Sequence, residues 1–173
     1  MENGKTPMAA GDLIELDQIV FLDIEASGLG PDSYPTEIGW AFATGASGGF
    51  LIRPASDWSA DAWDPLAEEL HGISHEELMT NGITPWDAAL RINAVLAPDG
   101  APLTVVSDAA EMDSFWLDRL FEEGPSSREF QVRDIEWLRG ILPGKHADDA
   151  NPIDDQRAHR AEADALLLAR NWR

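Results

Sequence analysis

The segment Val20-Phe21-Leu22-Asp23-Ile24-Glu25 sets two carboxylates into an otherwise apolar run, and Ala26-Ser27-Gly28-Leu29 follows directly. Side chains alternate along a strand, so Val20, Leu22 and Ile24 share one face while Phe21, Asp23 and Glu25 share the other. Asp23 and Glu25 are then neighbours, and no Lys or Arg occurs anywhere from Gly11 to Leu51. Two anions side by side in a low-dielectric wall repel, and one protonates unless a cation compensates it. A hard divalent cation, which takes carboxylate oxygens, is one solution. An edge strand whose charges point into water is the other.

Asp113 is a second candidate. On a helix starting near Ala109, Asp113, Leu117, Leu120 and Phe121 fall at the spacing of a buried stripe, while Ser114, Asp118 and Glu122 mark the wet side. A carboxylate on the apolar side needs a partner. Asp108 is its rival, but with Glu111 three residues on it reads as the N-cap of a capping box. The third piece is His159-Arg160-Ala161-Glu162-Ala163-Asp164. Five residues turn a helix by about 500°, so His159 and Asp164 do not share a face. His159 is expected in the loop or first turn, and Asp164 one turn before the apolar group Leu166, Leu167 and Leu168. Asp23, Glu25, Asp113 and Asp164 thus come from three separated segments. With His159 they form the set that two-metal phosphoryl hydrolysis requires, with ions about 3.5–4 Å apart and a near-neutral base to take a proton from water. A loop histidine by itself is more often a plain surface residue.

The elements that must carry these residues follow from periodicity and punctuation. Strands are expected at 19–24, 36–43 and 49–53, the last two joined through Gly45-Ala46-Ser47-Gly48 as an antiparallel hairpin. Gly28 to Pro35 is a loop by its Gly and Pro content. Helices are expected at 61–70, after the Ser74-x-x-Glu77 capping pattern, and from Thr84-Pro85 to about 97. A fourth strand covers 103–106, a helix runs to about 123, a short strand covers 130–132, and helices cover 135–142 and 156–171. Gly144 to Asp155 is a polar loop. Strands first, then helices alternating with strands, describe a mixed sheet flanked by helices in an α/β fold.

Composition narrows the function classes. A chain of 173 residues with 44% hydrophobic content fits a flexible segment over 1–16 and a single domain over 17–173. With no cysteine, thiol catalysis and zinc–thiolate sites are excluded. No apolar run approaches the roughly 20 residues that span a bilayer, and nothing resembles a signal peptide, so a soluble cytoplasmic protein is expected. The formal net charge of -20 argues against general duplex binding, which needs a basic surface. Eight of the twelve basic residues lie after position 127, so attraction for phosphates is expected from the C-terminal third. Of the seven tryptophans, Trp40 and Trp116 read as core. Trp58, Trp63, Trp86, Trp137 and Trp172 fit core packing first, with base stacking or contact within a homodimer as the other uses.

The motifs resemble the DEDD superfamily of 3′–5′ exonucleases, in its histidine-containing DEDDh branch of proofreading exonucleases, ribonuclease T and oligoribonuclease. Phe21-Leu22-Asp23-Ile24-Glu25-Ala26-Ser27-Gly28-Leu29 is similar to the first motif, Ser107 to Leu117 to the second, and His159 to Asp164 to the third. Thr36-Glu37-Ile38-Gly39 resembles the opening of the family's second strand, and His71-Gly72-Ile73-Ser74 its His-Gly-Ile-Thr segment. The ordered set covers the chain from about Ile19 to Arg170. The resemblance implies a ribonuclease-H-like fold, with a five-stranded mixed sheet whose second strand runs antiparallel to the first. It implies two Mg²⁺ or Mn²⁺ ions held by Asp23, Glu25, Asp113 and Asp164, with His159 as general base. It also implies that Ala26, Ser27, Gly28, Leu29, His71 and Ile73 bind the 3′-terminal nucleotide of single-stranded RNA, DNA or short oligonucleotides. Ser107-Asp108 departs from the His-Asn of many relatives, and the added charge of Asp108 bears on phosphate binding. A catalytically silent binding module on the same fold predicts a damaged carboxylate set, and all five residues are present. An aspartyl-phosphatase site would want Asp-x-Asp where this chain has Asp23-Ile24-Glu25.

Overall fold

The first strand, β1 (Ile19–Ala26), is apolar on both faces apart from its two carboxylates, and a strand buried on both faces belongs at the centre of a covered sheet. The computed structural model, which describes residues 14–142 and 158–172, places it there. Around it lie β2 (Pro35–Phe42), β3 (Ser47–Leu51), β4 (Thr104–Ser107) and β5 (Val132–Asp134), in the order β3-β2-β1-β4-β5. The β1–β2 and β2–β3 pairs are antiparallel, whereas β1–β4 and β4–β5 are parallel. This is the expected five-stranded mixed sheet, with the second strand antiparallel to the first.

Among the described residues six α-helices accompany it: α1 (Pro65–His71), α2 (His75–Asn81), α3 (Pro85–Leu96), α4 (Ala110–Glu122), α5 (Ile135–Ile141) and α6 (Ala161–Arg170). Val20, Leu22 and Ile24 face one core, against Ala88, Ile92 and Leu96 of α3 and Trp116, Leu117 and Leu120 of α4. Ile19 and Phe21 face the other, against Ile135 and Leu138 of α5 and Ala165, Ala169 and Trp172 at α6. The predicted alternation therefore holds. Each fully buried aliphatic side chain contributes about 1.5–3 kcal/mol relative to exposure, so the two cores fix β1 between layers and with it the height of Asp23 and Glu25.

The helix starts obey local chemistry. Ser74 Oγ accepts from the Glu77 amide at 3.1 Å, and Thr84 Oγ1 accepts from Asp87 with Pro85 at the first turn. The helix expected over 61–70 is instead split into a 3₁₀ turn at Ala60–Ala62 and α1. Asp64 caps the second piece by accepting from the Leu66 amide, and Pro65 suits a helix start better than a helix interior. Gly72, at φ 70°, ends it in the left-handed region. The third strand begins and ends two residues earlier than expected, and the fifth lies two residues later, where Val132, Arg133 and Asp134 pair with Val105, Val106 and Ser107. The last helix starts at Ala161, which leaves His159 ahead of it as expected. The flexible segment expected over 1–16 lies outside the described residues except for 14–16, and so does the polar loop over 144–155.

Trp58, Trp116 and Trp172 are core residues, and Trp40 packs partly buried against Phe50. Trp86 departs from the core expectation, at 52% exposed on α3, because the buried stripe of that helix runs through Ala88, Ala89, Ile92 and Leu96 instead. Among the described residues no helix is long and apolar enough to cross a membrane.

Candidate active site

Three elements converge at one end of β1. Because β4 runs parallel to β1 with Val106 beside Phe21, the turn leaving β4 at Ser107 emerges next to Asp23. That turn starts α4 and places Asp113 in its first turn, almost fully buried. Ser107 Oγ donates to Asp113 Oδ2 and also accepts from the Ala109 amide at 2.9 Å. Ser107 thus holds the carboxylate and the helix start together. The capping role expected for Asp108 is not what is found: the N-cap position falls one residue later, at Ala109, with no side-chain cap, and Asp108 is exposed.

The third element is α6, which lies directly on β2 at Gly39. A Cβ there would sit 2.0 Å from the Glu162 nitrogen and 2.1 Å from the Ala161 carbonyl carbon, so only glycine admits the helix at this height. The close approach brings Asp164, in the first turn, over β1. His159 Nδ1 lies 3.3 Å from Asp164 Oδ2. Glu25, His159 and Asp164 each offer a ligand atom within 4.8 Å of the others. The His159 amide donates to the Leu70 carbonyl at 3.0 Å, which ties this segment to the end of α1.

The electrostatics are those of crowded carboxylates. Burial pushes the Asp23 carboxyl well above its ordinary range, and the charges of Asp113, Glu25 and Asp164 push it further. Glu25 is raised to about 7 by burial and then by Asp164, with Arg160 opposing. Asp113 is raised to about 7 by burial against the lowering effect of the Ser107 hydroxyl. Asp23 and Asp113 therefore belong to the same electrostatic cluster as the closer trio, and all five residues singled out in the sequence converge here. Hard oxygen donors held in a cluster that repels itself suit a divalent cation.

A cleft of about 310 Å³ opens beside the cluster, lined among others by Glu25, Ala26, Gly28, Leu29, Leu70 and His71. Two residues expected in a nucleotide pocket stand behind its wall. Ser27 is buried, with its hydroxyl accepting from the Tyr34 amide, and its carbonyl accepts from Asp64. Ile73 is fully buried, and its amide donates to His71 Nδ1, which leaves the proton of that ring on Nε2. Burial lowers the affinity of His71 for a second proton, although the Ala26 carbonyl nearby opposes this.

Sequence reasoning missed other parts of the wall. Leu66 and Leu70 lie four apart on α1, 72% and 54% exposed, beside Leu29 at 79%. Their signal was an apolar pair pointing to the open side of a short helix. Trp116 follows Asp113 by three residues and so shares its face. It also anchors the Gly28–Pro35 loop, since its indole N–H donates to Ser33 Oγ at 2.9 Å.

No protein-family model matches the sequence, and no curated protein matches it. Solved structures do. The zinc-bound form of the E. coli exonuclease I complex with single-stranded DNA has a TM-score of 0.64 at 18% identity, covering 88% of this chain and 39% of that one. A moderately thermophilic exonuclease I from Methylocaldum szegediense has a TM-score of 0.61 at 17% identity, covering 86% and 38%. This chain therefore spans about two-fifths of the length of these neighbours. The chain has the ribonuclease-H-like fold shared with the exonuclease I structures.

Proposed function

We propose that this chain is a metal-dependent 3′–5′ exonuclease of the DEDDh type that hydrolyses phosphodiester bonds at single-stranded 3′ ends, releasing nucleoside monophosphates. The observation that carries the reading is the meeting of Glu25, His159 and Asp164 within 4.8 Å, beside a cleft whose rim is apolar. Asp23, Glu25, Asp113 and Asp164 would hold two Mg²⁺ or Mn²⁺ ions, and the raised proton affinities of Asp23, Glu25 and Asp113 are what a cation would relieve. Such ions, when bound, supply an activated water and stabilise the leaving oxygen.

The protein residues do the rest. His159 faces Asp164 through Nδ1, 3.3 Å from Oδ2, and its imidazole is the group placed to accept a proton from water. Leu29, Leu66 and Leu70 present apolar surface on which a terminal base can stack or wedge. The net charge of -20 disfavours a long backbone held by phosphate contacts and favours short or single-stranded substrates. Neighbours solved with single-stranded DNA make DNA ends the first substrate to try.

The test incubates the protein and Asp23→Ala with Mn²⁺ and 5′-labelled single-stranded DNA and RNA of several lengths. Stepwise shortening from the 3′ end by the parent, with a loss of at least about 10³-fold in the variant, is expected. No shortening of any substrate by the folded parent would support the silent binding module instead.

A further inference from the structure

Glu37 lies opposite Glu25 in the β1–β2 register and is buried, yet it has no place in the chemistry just described. It is met by one cation from far along the chain. Arg160 Nε lies 3.1 and 3.0 Å from the two Glu37 oxygens, and Arg160 Nη2 lies 2.6 Å from Oε1. Glu37 Oε2 also accepts from the amide of Ala161, the first residue of α6, at 2.9 Å. One carboxylate therefore grips the guanidinium and the helix start at once. On either side of this grip stand His159, next in the chain to Arg160, and Asp164, one turn into the helix. A planar fork of this kind fixes direction as well as distance, which an ammonium cannot do.

Resting on the exonuclease reading above, we infer that Glu37 and Arg160 are positioning residues for that reaction: their bidentate pair orients the His159 imidazole over Glu25 and Asp164. The backbone restrains the same segment at two points, where the His159 amide donates to the Leu70 carbonyl and the Asp164 amide donates to the Arg160 carbonyl. The Glu37–Arg160 pair adds a side-chain anchor between them. Displacing a proton acceptor by about 1 Å costs on the order of a hundredfold in rate, so the pair acts on turnover and not on substrate binding.

The test uses the full chain and the variants Arg160→Lys, which keeps the charge but loses the planar fork, and Glu37→Gln, which keeps the size but turns one accepting oxygen into a donor. The first readout needs no activity: the ring resonance of His159 in the metal-free protein, identified as the signal lost in His159→Asn. It is expected at a displaced shift in the parent and near the free-histidine shift in both variants, with the rest of the spectrum unchanged. The second is nuclease kinetics with Mn²⁺, where kcat is expected to fall about tenfold to a hundredfold while KM stays within about threefold. An unchanged His159 signal in both folded variants overturns the inference, as does a parent ring already at the free shift. Failure of both variants to fold also overturns it, because the pair would then be a structural brace only. Release of the ring in the variants of a parent that cleaves nothing keeps the positioning role and sinks the exonuclease reading instead.

Discussion

Glu25 and Glu37 face each other across neighbouring strands, both buried, and the protein treats them in opposite ways. Glu37 receives a guanidinium fork and a helix amide. Glu25 is left among Asp23, Asp113 and Asp164 and holds its proton up to about 7. A buried charge is tolerable only when paired and hydrogen-bonded, so the paired glutamate serves the fold while the unpaired one, when ionised, carries a cost that a proton or a bound cation relieves. The difference marks which side of the β1–β2 pair is frame and which is site. Charge alone does not distinguish them; the partner does.

The sharpest way to break that contrast is to move the helix that creates it. Gly39→Ala would drive a Cβ into the backbone of Ala161 and Glu162, with no flexible group to yield. A loss of at least about 4 kcal/mol is expected, seen as an absent or early thermal transition and insoluble protein. Normal melting of this variant would show that α6 can ride higher on β2 than the structure places it.

The unpaired side is probed by pH. Asp113 has a folded-state pKa of about 7, above its ordinary value near 4, so the folded chain binds this proton more tightly than the unfolded one. The group costs nothing below about pH 4, and stability is lost as pH rises through about 7. Asp113→Asn removes the cost while still accepting from Ser107. In metal-free protein near pH 8 it is expected to gain on the order of 3 kcal/mol, or roughly 5–10 °C in Tm, with the gain vanishing near pH 4. Adding Mn²⁺ should reverse the order by stabilising the parent more. Melting curves across pH, with and without chelator, read all of this. Equal melting near pH 8 without metal would show that Asp113 is already compensated.

The paired side gives the smallest effect. Arg160→Met leaves Glu37 buried without its cation, but the Arg160 side chain is 42% exposed and water screens part of the loss. About 2–3 kcal/mol is expected, from thermal or denaturant unfolding. The double variant Glu37→Met with Arg160→Met should recover most of it, since an apolar pair of similar volume replaces the ion pair. No recovery would mean that the Ala161 amide, and not the guanidinium, is what Glu37 mainly serves.

The same contrast explains how much was legible in the sequence. Asp23, Glu25 and Asp113 could be read because strand and helix periods place them among apolar residues, and periodicity is local. His159 and Asp164 were legible through their spacing and the apolar group after them. Asp108 was misread because Ser107 and Asp108 are both good caps, and only the parallel pairing of β4 with β1 decides that Ser107 turns inward. The break in the helix over 61–70 was signalled by Asp64-Pro65, which the apolar spacing outweighed. Glu37 with Arg160 left no local trace. Their pairing depends on α6 reaching β2, and that depends on the missing side chain at Gly39, a tertiary fact with no period of its own.

The bond from the His159 amide to the Leu70 carbonyl has a consequence for when the cluster can exist. It joins segments far apart in the chain, and contacts of such long sequence separation form late because closing the intervening loop costs entropy first. During synthesis β1, β2 and α1 emerge well before α6, so the early chain carries Asp23 and Glu25 without the residues that complete their trap. A partly made chain therefore holds only the β1 half of the carboxylate cluster, and the other half arrives in one step with α6.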